Sequence, residues 1–275
     1  MTQLFTNLLI FILGTAVGSF LNVLIDRLPK DELINGRSHC DHCKKKIAWH
    51  DLFPIISFFI LGGKTRCCGK KLSLQYPLVE MVTGITFVLI TNHQIPITKQ
   101  LPIFNNQFSN VWLFGNWSSF VSWLLFLGIS SCLIVIFVSD LKYHLISDYI
   151  LLALFVFSLP AVVLTKAGLI NSVISGIVVS FPIFLIYYIS KERAMGLGDV
   201  YLAAIMGFLL GWQAGLLALY IAFITGAIFG LVAILFKNKK LKSRIAFGPF
   251  LVIGTVVMLG WGERIVEGIK KIYGY

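Results

Sequence analysis

The chain has 275 residues, 57% of them hydrophobic and only 13% charged, with a mean hydropathy of +0.87. Soluble globular domains carry roughly a quarter charged residues, so this composition excludes an ordinary soluble enzyme and describes a polytopic membrane protein. The formal net charge of +11 is what loops resting on anionic lipid would carry. No aromatic-basic module accompanies it, so a nucleic-acid partner is not expected.

A helix needs about 20 mainly apolar residues to cross the hydrocarbon. Segments that meet or approach this lie at 5–25, 77–92, 119–139, 148–165, 169–190, 199–213, 215–236 and 246–262, the second and sixth being short. The first has no basic residue before it and no small-residue cleavage site. It continues into "GSFLNVLIDRLP" and reads as a retained helix, not a removed signal peptide. The expected fold is therefore an all-α polytopic membrane protein of about eight transmembrane helices. A small cytoplasmic domain would lie between helices 1 and 2. The expected division is a first helix over 1–26, a Cys-containing domain over 27–76 and a transmembrane domain over 77–275.

Lys and Arg crowd the loop 27–75 and follow the third, fifth and seventh apolar segments. Cytoplasmic loops are the basic ones, so these sides should be cytoplasmic and both termini outside. The "KNKKLKSR" run at 237–244 fits the same rule as an anchor. Residues 93–118 form an external loop of Asn, Pro and aromatics with no assigned chemistry.

A lobe of this size needs a staple to hold a core. Cys40 and Cys43 form a C-x2-C pair, and Cys67 and Cys68 follow after 23 intervening residues. Disulfides are uncommon on a cytosolic loop, so metal binding is the expected use, and four thiolates suit tetrahedral Zn²⁺. Cys67 and Cys68 are adjacent, and adjacent side chains tend to diverge. Reduced, unliganded thiols therefore remain the alternative, as do His39, His42 or His50 as substitute ligands. Cys132, inside the third segment, reads as a small apolar filler.

Carboxylates at membrane depth are costly and mark candidate functional sites. Asp140 ends the third apolar segment in "FVSDLKYHLISD", and Asp199 begins the sixth in "GLGDV". The charge pattern puts both at cytoplasmic helix ends, where they could meet. Two carboxylates in one site share a proton: the charged member takes a proton from water and the neutral one protonates a carbonyl. That is hydrolysis of a peptide bond without metal or covalent intermediate. Gly196 and Gly198 would permit positive φ and let a substrate strand approach. Asp199 alone is equally explained as a helix cap, whereas Asp140 at a helix C-terminus is not. Asp148 reads as the cap of the fourth helix. Glu80 in "YPLVE" reads as a dipole-favoured anion, with attraction of a basic peptide as the lesser reading. His144 is expected at the interface, and Pro249 suits helix entry.

These residues resemble a known family. "GLGDV" with the upstream "DLKYHLISD" is similar to the type IV prepilin peptidases, membrane aspartic proteases with a Gly-x-Gly-Asp motif. "GSFLNVLIDRLP" (18–29), the cysteine-bearing stretch 37–80 and "FGPFL" (247–251) resemble that family's first-helix exit, cytoplasmic domain and last-helix motif in the same order. The resemblance implies Asp140 and Asp199 as catalytic acids and a "GP" segment lining the site. It implies prepilin and pseudopilin substrates with a short basic leader before an apolar helix, cut at the cytoplasmic face of a bacterial inner membrane. It also implies, less directly, N-methylation of the new amino terminus with S-adenosylmethionine. Thr65 departs from the family's second C-x2-C.

Three rival functions use the same residues differently. A methyltransferase with a vestigial protease lacks support from any glycine-rich dinucleotide-type loop in 27–75. A proton-coupled transporter would use the acids as a relay, but its expected paired broken helices in two related halves are not visible in the sequence. A non-catalytic assembly subunit would use both aspartates as caps.

Overall fold

The computed structural model describes residues 2–40, 42–92, 117–163, 168–193, 195–237 and 246–273. Among these there is no β-strand, only two isolated antiparallel bridges. The external loop expected over 93–118 and the basic run at 237–244 lie outside the described residues except at their ends. The chain divides into two compact units, Met1–Gln94 and Ile95–Tyr275.

In the first unit, helix α1 (Thr2–Arg27) passes into a 3-10 turn (Leu28–Lys30). Pro29 lacks the N–H a longer helix would need. A second 3-10 turn (Trp49–Leu52) and one short turn α2 (Ile56–Ile60) precede helix α3 (Gln75–Thr91). Helices α1 and α3 pack through small residues. A Cβ on Gly14 would stand 2.8 Å from the Gly84 Cα, and one on Gly18 would stand 2.7 Å from the Glu80 Cα. Gly14 and Gly18 form a small-xxx-small face of the kind that lets apolar helices approach at backbone distance. Asn22 and Asp26 of α1 clasp the start of α3, with Asn22 Nδ2 donating to the Tyr76 carbonyl (3.1 Å) and Tyr76 Oη donating to Asp26 (2.8 Å).

The second unit contains α4 (Trp117–Tyr143), α5 (Asp148–Val163), α6 (Leu169–Ser190), α7 (Leu197–Leu210), α8 (Trp212–Lys237) and α9 (Gly248–Tyr273). Each of the eight expected apolar segments contains a helix, but their lengths differ. Four helices among the described residues are long and apolar enough to cross a membrane. The count is five if Gly248–Gly262 and Arg264–Lys271, bent by 74°, form one span. Helices α3, α5 and α7 are apolar but shorter. At 1.5 Å per residue, the 14 residues of α7 extend about 21 Å, against about 30 Å of hydrocarbon.

Helix α7 is the axis of this unit, and nine of its residues are buried. It meets α6 at backbone distance, because a Cβ on Gly176 would lie 2.8 Å from the Ala204 carbonyl and one on Gly207 would lie 2.6 Å from the Ser175 carbonyl. On another side Phe155 of α5 packs against Phe208, ring centroids 5.4 Å apart. Cys132 is buried within α4, as a filler would be.

Candidate active site and metal centre

Asp140 lies three residues before the end of α4 and Asp199 in the first turn of α7. Both side chains are buried, Asp140 at 5% and Asp199 at 9% exposure. Neither has a salt-bridge partner among the described residues.

Asp140 Oδ2 accepts a hydrogen bond from the backbone N–H of Gly248 at 2.9 Å, across 108 residues of sequence. Gly248 opens α9, so its N–H is one of the helix's uncommitted donors. A Cβ there would stand 2.6 Å from the same Asp140 oxygen. Only glycine permits this approach. Ile146, in the linker between α4 and α5, fills the space between the two glycines. It lies 3.1 Å from a Cβ built on Gly248 and 3.1 Å from one built on Gly198. The linker is folded by His144 in the left-handed region (φ 53°), whose N–H bonds the Asp140 carbonyl at 2.9 Å. The Ser139 hydroxyl donates to the Leu145 carbonyl at 3.0 Å.

Asp199 also makes a cap. Its Oδ2 accepts the N–H of Gly196, the residue that caps α7, at 3.2 Å. Capping and proximity to a second acid therefore coexist in one side chain. The glycines act differently from the sequence expectation of positive φ. Gly196 is extended at φ −86°, and neither Gly196 nor Gly198 has positive φ. A Cβ on Gly198 would crowd Ile146, whose Cβ would stand 3.1 Å away. A Cβ on Gly196 would meet nothing nearer than 3.9 Å.

His144 is exposed. Pro249 is fully buried in the first turn of α9. Asp148 is the first residue of α5, where the sequence expects a cap. Glu80 differs from the simple dipole-anion expectation. It is buried at the α1–α3 interface, and its Oε2 accepts the backbone N–H of Ile55 at 2.7 Å. Ile55 holds φ +60°, which is strained for a β-branched residue, and this bond ties the strained turn to α3. Neither the Gly248 nor the Ile55 bond leaves a local signal in the sequence, though Gly248 lies inside the "GP" segment.

The four lobe cysteines converge. Their sulfur atoms all lie within 4.8 Å of one another, with Cys43 to Cys67 at 3.2 Å and Cys40 to Cys68 at 3.7 Å. Four sulfurs at about 2.3 Å from a tetrahedral zinc ion stand about 3.8 Å apart. The cluster therefore fits a Zn²⁺ ion, and it could hold a metal. It contains none of the three histidines considered as substitutes.

Two similar knuckles build the cluster. In the first, the Cys40 N–H bonds the Lys45 carbonyl, the Lys44 N–H bonds the Cys40 carbonyl, and His39 bridges Lys46. In the second, the Thr65 N–H bonds the Lys70 carbonyl, the Gly69 N–H bonds the Thr65 carbonyl, and Lys64 bridges Lys71. Lys44 and Gly69 both have positive φ, 57° and 67°. Thr65 is thus the counterpart of Cys40, Cys68 of Cys43 and Cys67 of His42. The tight turn at Gly69 brings Cys67 and Cys68 to the same cluster despite their adjacency. Thr65 Oγ1 lies 3.1 Å from the Cys68 sulfur. Burial raises the Cys40 thiol, but the N–H groups of Cys43 and His42, together with hydrogen bonds from the Cys67 and Cys43 thiols, bring it down to about 6. The hydrogen bond shared with Cys43 pushes Cys67 up to about 12.

Comparison with known proteins finds similarity over most of the chain. Residues 12–104 match the bacterial peptidase A24 N-terminal domain, and residues 112–231 match the type IV leader peptidase family. A prepilin leader peptidase/N-methyltransferase of Pectobacterium carotovorum subsp. carotovorum is 31% identical, covering 89% of this chain and 89% of its own length. A protein of the same description from Legionella pneumophila is 30% identical over 96% of this chain and 94% of its own. One from Klebsiella pneumoniae is 32% identical over 74% of this chain and 85% of its own. No solved structure matches the chain. With its apolar helices and this similarity over nearly its full length, the chain belongs to the type IV leader peptidase family, and it is a bacterial inner-membrane peptidase.

Proposed function

We propose that this chain removes the short basic leader from type IV prepilins and pseudopilins, with Asp140 and Asp199 as the acting pair. The observation that carries this reading is a pair of buried carboxyls at helix ends that share one neighbour: Ile146 lies against Gly248, which bonds Asp140, and against Gly198, which adjoins Asp199. The pair holds one proton. The ionised member draws a proton from a water molecule, whose oxygen attacks the carbonyl carbon of the scissile bond. The neutral member protonates the carbonyl oxygen. Collapse of the tetrahedral species returns that proton and delivers the other to the leaving amine. Gly248 N–H orients Asp140, and Gly196 N–H orients Asp199. The side chain that Gly196 lacks leaves room for a substrate strand.

In this reading α3, α5 and α7 thread the membrane with the longer helices to make eight spans. Both termini lie outside, and residues 27–76 form a cytoplasmic lobe stapled by Zn²⁺ on Cys40, Cys43, Cys67 and Cys68. The bilayer is the enzyme's medium, and the metal takes no part in hydrolysis. The relatives' double name supports N-methylation of the new amino terminus as a second activity, with S-adenosylmethionine as donor.

The test is leader cleavage by purified Asp140→Asn and Asp199→Asn. Each should lose activity while keeping its fold. Retained cleavage by either variant would reject the pair. Loss of cleavage with methylation of a pre-cut substrate intact would separate the two activities.

A further inference from the structure

Helices α5 and α6 both pack on α7 but scarcely touch each other. They leave a groove of about 520 Å³ with α7 as its floor. Phe155 lies level with Phe208, and Gly176 with Ala204. The order of residues along the three helices therefore puts Asp148, Ser180 and Tyr201 together at one end. Ile177, Phe155 and Phe208 line the apolar remainder. Asp148 is the only charged residue in the lining. The polar end is also the candidate active-site end, because Tyr201 follows Asp199 by two residues and Asp148 follows Ile146 by two.

We propose that this groove binds the apolar helix that follows the scissile bond of the substrate, with that helix's N-terminus seated at Asp148. The inference rests on the leader-peptidase reading. A helix begins with uncommitted N–H groups and a partial positive charge. An acidic side chain with two hydroxyl neighbours complements that end, and an apolar trough complements the body. The orientation is then determined: the chain before the helix points toward Asp140 and Asp199, so the leader is the part removed. Asp199 and Tyr201 are about 200° apart around α7. An incoming chain therefore crosses the first turn of α7, over the side bare at Gly196. A helix about 10 Å wide is crossed by three to four extended residues at about 3.3 Å each. The scissile bond should precede the seated helix by about that number.

The test places a benzoylphenylalanine crosslinker at position 177, or at exposed Leu231 of α8 as a control, in the Asp140→Asn background with a full-length prepilin in membranes. A prepilin adduct at 177, several-fold above that at 231, is the expected result. Equal yields at the two positions, or lipid adducts alone at 177, would overturn the groove as a substrate site. Should Asp140→Asn still cut, the role of the acids fails while the adduct still judges the groove. Independently, Asp148→Lys opposes the helix's positive end. It should raise KM for the full-length substrate about three- to tenfold, with the change in KM and not in kcat. An unchanged KM would count against the seating at Asp148. If that variant does not fold, the adduct decides.

Discussion

The backbone N–H of Gly248 meets the carboxylate of Asp140 at 2.9 Å, joining the start of the last helix to the end of α4. The contact has no room to spare, since a methyl group on Gly248 would sit 2.6 Å from the oxygen it orients. Gly248→Ala must displace Asp140 or α9. A misplacement of about 1 Å can cost about 10²-fold in rate. We expect a loss of that order in leader cleavage, with helical content retained by circular dichroism. Near-normal turnover would mean that this contact does not position the acid.

The two motif glycines should separate under the same change. Gly198→Ala forces Ile146 to give way, while Gly196→Ala meets only ordinary contact at 3.9 Å. Cleavage assays of the two alanine variants should find Gly198→Ala the more damaged. The reverse order would indicate that the space beside Gly196 is occupied by substrate more tightly than the free geometry implies.

Cys67 occupies a position whose counterpart in the first knuckle is His42, and Thr65 occupies the position of Cys40. Cys67→Ser should weaken zinc binding by about 10²-fold or more, if about 10–16 kcal/mol is shared among four ligands. Adding Thr65→Cys to that variant should restore it by returning the ligand to the symmetric place. Metal content after chelator-free purification checks both steps, and a double variant as metal-poor as the single one would refute the equivalence.

Zinc uptake should carry a proton signature. Cys40 falls to about 6 in the metal-free lobe, so at pH 7 it is already ionised, whereas Cys67 at about 12 is not. Filling the site at pH 7 should release fewer than four protons, measurable by calorimetry in buffers of different ionisation enthalpy. The sign for stability follows from the same values. A thiol lowered from 9 to about 6 stabilises the metal-free lobe fully above pH 9, and the contribution fades as pH falls through 6. Protease resistance of the metal-free lobe should decline over that interval. Resistance that rose instead would contradict an ionised Cys40.

Glu80 should matter to stability. Its bond to the Ile55 N–H lies at the α1–α3 interface and holds a strained turn. Glu80→Ala leaves a donor without its partner, at a cost of about 1–3 kcal/mol. Glu80→Gln retains an acceptor and should lose less. Thermal unfolding of the two variants in detergent provides the comparison.

Much of this was legible in the sequence because it is local. Apolar run length located the helices, and Asp140 and Asp199 stand out because a carboxylate at the edge of an apolar run is costly. The C-x2-C spacing marked the metal candidate, and Thr65 was visible as a departure. The reason for Gly198 was not legible, because glycine's conformational freedom is the local expectation, whereas the structure uses its missing side chain against Ile146. Nor was the function of Glu80, whose partner lies 25 residues away in an irregular turn.

The sequence alone determined a helical membrane chain, the approximate limits of its helices, two acids at helix ends and a cysteine-rich polar lobe. These follow from the transfer cost of each side chain between water and hydrocarbon, a property of the residue itself. Only the tertiary structure decided that Ile146 lies against both Gly198 and Gly248, that Gly248 bonds Asp140, that Cys67 joins its neighbours in the cluster, and that α5 and α6 part over α7. Those outcomes depend on backbone approaches at individual glycines and on contacts between distant segments, which leave no periodic trace along the chain.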